Sequence, residues 1–360
     1  MKRLFITDCE GPISKNDNAF ETLSHFVPHG DRLFTVVSRY DDALSDVLKR
    51  PSYEAGDTLK LVLPFLKAYD VTDEEIRQFS ARNLVLIAHA ADLLRHVRSI
   101  SPAYIVSTSY EHYIKALCKV LRFPFKKTYC TRFSLDAYTI TSEDKDRLKK
   151  AGHEIAQLST FENPAETKNL KDLSENTQTT IRKLDQIFSK IIAKMAIGKI
   201  YSEVSAVGGR EKAEAIKNIT SKEGVALKDT MYVGDSITDE KAFKLVKENG
   251  GLTISFNGNQ YAVRNAEIAL LSADGLTTAL IADIFIRFGK TETLNLVAKW
   301  NRRTLESSSV NEDLRERFLK LHPRELPKAR IITRENMENL TKESGEFRKK
   351  VRGEAISRLG

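Results

Sequence analysis

The sequence predicts an α/β fold: a parallel sheet covered by helices on both faces and enlarged by helical additions. Three observations carry this reading. Short apolar strand patterns alternate with helix-length amphipathic segments between residues 200 and 288. Earlier strand patterns at 3–7 (RLFIT) and 103–106 (AYIV) each run into polar, chemistry-bearing residues. Two long stretches, 15–100 and 142–199, keep helical periodicity.

The elements follow in order. After the first strand, Leu59, Val62, Leu63 and Leu66 fall at helical spacing, as do Leu86, Ala90, Leu93, Leu94 and Val97. Thr72 precedes Asp73 and Glu74, a plausible helix start. The strand at 103–106 leads to a helix over about 111–121 and a β-like segment near 128–135. In 142–199, Ile181, Leu184, Ile187, Phe188, Ile191 and Ile192 form one apolar face of a helical insertion. After Gly208-Gly209 a helix is expected over about 210–223, a strand at 230–233 and a helix at about 239–248. Strands at 252–256 and 267–271 and a helix at about 275–288 close the run. Residues 289–360 are rich in arginine and lysine interleaved with acids, and read as a solvated helical extension or an interaction segment.

Composition narrows the function. With 360 residues, 41% hydrophobic and 29% charged, the chain reads as a soluble globular core with additions. Met1-Lys2-Arg3 runs straight into a strand pattern, so no signal peptide is expected, and no apolar run is long enough to span a bilayer. Cys9, Cys118 and Cys130 form no CxxC pair, which fits reduced thiols in a cytoplasmic protein. The net charge of +8 is scattered and lacks a zinc-ligand spacing or an aromatic RNA-binding stretch. Nucleic-acid binding is therefore the lesser reading, and attraction to anionic phosphorylated metabolites explains a basic surface equally well.

The chemistry gathers where strands end. Asp8, Ser107 and the Asp235/Asp239 pair each follow a strand, and in an open parallel sheet such residues meet beyond one edge. Lys212, near a helix start, can reach the same edge. Singly, each motif has a bland reading. Asp8-Cys9-Glu10-Gly11 alone is a turn, and Gly234-Asp235-Ser236-Ile237-Thr238-Asp239 alone is a helix cap. Gly208-Gly209-Arg210-Glu211-Lys212 lacks the ending of a nucleotide-binding P-loop.

In order, the four motifs resemble those of the haloacid dehalogenase superfamily. The usual DxDGT or DxDGS appears as Asp8-Cys9-Glu10-Gly11-Pro12. The strand ending in Ser or Thr appears as Ile105-Val106-Ser107-Thr108, the lysine as Lys212, and GDxxxD as Gly234 to Asp239. The segment SFNGNQYAVRNAEIAL, from residue 255, is similar to the one closing many such domains. The resemblance implies a Rossmann-like core from 1–14, 101–141 and 200–288. It also implies a helical lid (a C1 cap) at 15–100, with 142–199 as an additional insertion. The stretches YEAGDTLKLVLPFL and TRFSLDAYTI make the lid similar to that of phosphoserine-phosphatase-like members.

The implied activity is a Mg²⁺-dependent phosphatase acting on a small phosphorylated metabolite. Asp8 would be the nucleophile that forms an aspartyl-phosphate, and Glu10 the general acid and base. Ser107 and Thr108 would bind the phosphate with Lys212. Magnesium would be held at Asp8, Glu10 (through its backbone carbonyl), Asp235 and Asp239, with Asp239 also orienting Lys212. Glu10, where Asp is commoner, keeps the carboxyl function, while Pro12 removes a side-chain hydroxyl. Over its whole length the chain also resembles archaeal haloacid-dehalogenase-like proteins grouped with energy-converting hydrogenases. That keeps open a regulatory or non-catalytic subunit, with 142–199 or 289–360 as the partner-binding part, and a phosphotransferase using the same chemistry.

Overall fold

A computed structural model describes residues 2–51, 53–161 and 169–357. Seven strands form one sheet: β1 (Leu4–Thr7), β2 (Ala103–Tyr110), β3 (Thr128–Thr131), β4 (Thr230–Gly234), β5 (Leu252–Phe256), β6 (Ile268–Leu271) and β7 (Lys328–Ile331). Their order is β3-β2-β1-β4-β5-β6-β7. The first six run parallel, and β7 pairs antiparallel with β6. The chain builds outward from β1 in one direction, then returns to β4 and builds in the other. That switch opens a crevice beyond the carboxyl ends of β1 and β4.

Both faces of the sheet are buried, as parallel strands between two helical layers require. Along β1 the side chains alternate. Phe5 joins a core with Leu93, Leu117 and Leu280, whereas Leu4 and Ile6 join another with Ile216 and Phe243. The expected helices form at Glu111–Leu121, Gly209–Glu223, Glu240–Glu248 and Leu276–Phe288. Thr72 caps the helix Asp73–Arg82, and the Glu75 carboxylate returns to the Thr72 N–H in a full capping box.

Three segments differ from expectation. The helix Ala90–Ile100, read from sequence as the end of the lid, packs on the sheet through Ala90, Leu93, Leu94 and Val97. The segment 142–199, expected as a separate insertion, shares one core with the helices between β1 and β2. Leu148, Ile155, Ile181, Leu184 and Phe188 pack there with Leu33, Val37 and Phe65. The apolar face was legible, but which partner it covers is a tertiary fact. The described residues from 289 onward are not a solvated extension. Trp300, Leu305, Leu314 and Phe318 enter the main core, and β7 closes the sheet edge. A few well-spaced apolar residues dock a segment that bulk composition makes look unanchored.

Asp283 holds part of this C-terminal region in place. Its carboxylate, 1% exposed, accepts from His96 Nε2 at 3.0 Å and from the Asn311 N–H at 2.9 Å. Burial pushes its pKa up, but the hydrogen bonds from His96 and Asn311, helped by nearby positive charge, outweigh burial and hold it below the ordinary aspartate value. Its stabilisation is therefore full above the usual aspartate range and is lost as the pH falls through the lower folded value. Asp283→Ala is expected to destabilise the fold by about 3 kcal/mol, read as a lower denaturant midpoint, by leaving these buried donors unpaired.

The cysteines Cys9, Cys118 and Cys130 are free and buried. Among the described residues no helix is long and apolar enough to cross a membrane.

Candidate active site

Sheet register sets the site. Thr7 pairs with Ile105 on one side and Val233 on the other, so Asp8, Ser107 and Asp235 emerge at one level. The Asp8 N–H donates to the Val233 carbonyl at 2.8 Å, which fixes the turn-off point. On β2 the register with β3 shifts between Val106 and Tyr110, and Ser107 and Thr108 lie in that break. Asp8 is 4% exposed and Asp235 is 2% exposed.

Gly11 lets the first turn close on the fourth motif. Its φ is +97°, and an added Cβ would lie 2.4 Å from Asp235 Cγ. Gly11→Ala is expected to cost about 1–3 kcal/mol from backbone strain alone and to displace the Asp235 carboxylate. Lower thermal stability checks this. Gly208 also sits in close contact: a Cβ there would lie 2.0 Å from the Ala55 carbonyl oxygen.

Lys212 is fully buried and joins the two acidic motifs. Its Nζ donates to Asp8 Oδ2 at 2.5 Å, to Asp239 Oδ1 at 2.8 Å and to Thr238 Oγ1 at 3.0 Å. Asp239 also accepts from Tyr232 Oη at 2.6 Å and from the N–H groups of Asp235 and Ser236 at 2.8 and 3.0 Å. Both Asp239 oxygens are thus engaged, which suits a residue that orients Lys212.

The remaining residues line one cavity of about 90 Å³, several times the space one water needs. Glu10 and Thr108 stand in its wall with Asp8, Ser107 and Asp235. Glu10 Oε1 accepts from the Asn18 N–H at 2.7 Å, while the buried Thr108 hydroxyl has no partner among the described residues. Ser107 Oγ is shared with Ser109 Oγ at 3.0 Å. The segment between β1 and β2 contributes Asp17, Asp41, Asp42, Thr58 and Leu59.

Sequence reasoning missed these residues between β1 and β2, and it also missed two that reach the cavity from the C-terminal region. The C-terminal helix Met337–Arg352 brings in Arg348 and Arg352, 3% and 9% exposed, and both Nη1 atoms donate to Asp235 Oδ2. The signal was present: Leu340, Ser344, Arg348 and Arg352 recur every fourth residue, which places them on one helix face. In a segment dense with arginine, nothing distinguishes an inward pair from solvated ones.

Buried charge dominates the electrostatics. Burial pushes the Asp8 carboxyl up to about 7; Lys212 opposes this, and Asp239 and Asp235 add to it. Glu10 rises well above the usual range, through burial first and Asp17 next. Burial acts to lower the Lys212 ammonium, but Asp239 and Asp8 outweigh it and hold it above the lysine range. Between β1 and β2, burial pushes Asp42 up to about 8 and Asp41 up to about 6, each raised further by a neighbouring aspartate.

Comparison with known proteins identifies the family. The family model for haloacid dehalogenase-like hydrolases matches residues 86–279, more than half of the chain. The chain belongs to the haloacid dehalogenase-like hydrolases. Its sheet order and the crevice at β1 and β4 are this hydrolase family's fold, as the four motifs implied. The structure of gene product AF1437 from Archaeoglobus fulgidus overlays it with a TM-score of 0.80 at 25% identity, covering 100% of this chain and 99% of that one. Phosphoserine phosphatase overlays more loosely. Its apo form gives a TM-score of 0.40 at 13% identity, covering 76% of this chain and 96% of that one. Its substrate-bound complex gives 0.42 at 13%, covering 76% and 95%. No curated protein matches the chain in sequence.

Proposed function

We propose that this hydrolase is a Mg²⁺-dependent phosphatase of a small phosphomonoester, working through a phosphorylated Asp8. The observation that carries the proposal is the bridge from Asp8, in the cavity wall, through Lys212 to Asp239 behind it. It holds an anionic oxygen beside a buried cation, as attack on an anionic phosphoryl group requires.

The donor set suits the metal. Asp8, Asp235 and Asp239 offer carboxylate oxygens that all lie within 4.8 Å of one another, the hard anionic ligands that magnesium prefers. Asp8 and Asp235, with the Glu10 carbonyl, would hold the ion, which would offset charge on the phosphoryl oxygens. The chain's own groups do the rest. An Asp8 oxygen forms the bond to phosphorus as the bond to the leaving oxygen breaks, and Glu10 gives that oxygen its proton. Glu10 then takes a proton from the water that attacks the phosphoaspartate, releasing phosphate and restoring Asp8. Lys212, Thr108 and Ser107 hold the phosphoryl oxygens. The lid limits the substrate to a small one. The three buried thiols suit a reducing, cytoplasmic setting.

The regulatory-subunit reading has one observation in its favour, the two guanidiniums resting on Asp235. Hydrolysis of a panel of phosphorylated metabolites and p-nitrophenyl phosphate, with and without Mg²⁺, separates the two. Metal-dependent turnover is expected, and none across the panel would favour the subunit. Glu10→Gln is expected to slow hydrolysis of alkyl phosphates by about 10²–10⁴-fold. The loss should be smaller for p-nitrophenyl phosphate, whose leaving group needs little protonation.

A further inference from the structure

The C-terminal helix is built around its contact with the site. Leu340, Ser344, Arg348 and Arg352 form its buried stripe, 4%, 1%, 3% and 9% exposed. Ser344 Oγ donates to the Gly258 carbonyl at 2.6 Å, on the loop after β5. Arg348 Nη1 bonds Asp235 Oδ2 and donates to the Asp235 carbonyl at 3.3 Å. Arg352 straddles the first motif's exit: Nε donates to the Lys15 carbonyl at 3.0 Å, Nη2 to the Asn16 carbonyl, and Nη1 to Asp235 Oδ2 at 3.0 Å.

Charge shows what this contact does. At the centre of the site Asp8 and Asp239 share the buried Lys212, while Arg348 and Arg352, also buried, both contact Asp235. Asp235 thus already has two cationic partners supplied by the chain. A divalent cation at Asp235 would add two charges within a few ångströms of two guanidiniums. Arg348 is also incompletely satisfied, since its buried Nε has no partner among the described residues. An arginine that only tied the helix down would be expected to use that donor; this one directs its contacts to the Asp235 carboxylate and the carbonyls of Asp235 and Asn257.

We propose that the helix Met337–Arg352 is an internal cation plug: Arg348 and Arg352 compete with the divalent ion for Asp235, so that metal loading and helix docking exclude one another. This rests on the reading of Asp235 as a metal ligand. Withdrawal of the helix would open the metal position together with one wall of the cavity, coupling catalytic competence to the state of the C-terminal segment.

Two measurements on the full chain test this. Hydrogen exchange of residues 337–352 is followed with and without saturating Mg²⁺, with no variant needed. Metal saturation is expected to speed exchange in that helix selectively. Calorimetric Mg²⁺ binding is then compared between wild type and an Arg348→Gln/Arg352→Gln variant. If the plug occupies most molecules, its removal tightens the apparent affinity by about tenfold or more, because the binding-competent fraction approaches one. Equal affinities with an unchanged helix would overturn the plug and leave the phosphatase reading standing. Failure of both proteins to bind Mg²⁺ would remove Asp235 as a metal ligand and the plug with it. Binding by the variant alone would be its strongest support.

Discussion

Asp8→Asn is expected to lower phosphomonoester turnover by at least about 10³-fold while leaving the protein folded. The amide keeps the shape of the carboxylate, so an oxygen can still accept from the Cys9 N–H, now made at 2.6 Å. What it lacks is the anionic oxygen that bonds to phosphorus. Lys212 keeps Asp239 as a counter-charge at 2.8 Å, so no buried cation is stranded. Circular dichroism and thermal melting should therefore match wild type closely while the rate collapses. A variant that hydrolyses at near-native rate would move the nucleophile elsewhere.

Lys212→Met should fail in a different way. The lysine is fully buried and is the cation shared by Asp8 and Asp239. Removing it leaves two carboxylates in a dry site, and breaking a buried pair from one side typically costs about 3–5 kcal/mol. Protons then relieve the site, because loss of Lys212 removes the influence that lowers both acids. Stability of the variant should therefore recover as the pH falls, more steeply than where Lys212 is present, because Asp239, which Lys212 holds low, then joins Asp8, which burial already raises. Denaturant titrations of both proteins across the acid range check the sign. Activity should be lost at every pH, since protonation that rescues the fold also silences Asp8.

These two residues also show how much of the molecule was written in the chain. Asp8, Ser107, Lys212 and Asp235 could be placed at one sheet edge because strand ends are legible from short apolar runs, and parallel topology forces such ends together. The strand LTISF at 252–256 and the helix at 111–121 form on the expected residues. Less legible was everything that depends on partners. The face carried by Ile181, Leu184 and Phe188 gave no hint that it would share a core with Leu33 and Phe65. The arginines of 289–360 look alike in sequence, yet Arg348 and Arg352 reach Asp235 while Arg317 pairs at the surface with Asp92. Periodicity marks a buried face, and charge on that face is where a search for missed site residues should begin.

Acid-quenched turnover of a ³²P-labelled phosphomonoester, followed by peptide mapping, asks the central question most directly. Label carried as an acyl phosphate on the peptide containing Asp8, and absent from Asp8→Asn, is the predicted result. Turnover without label on that peptide would contradict the covalent route through Asp8.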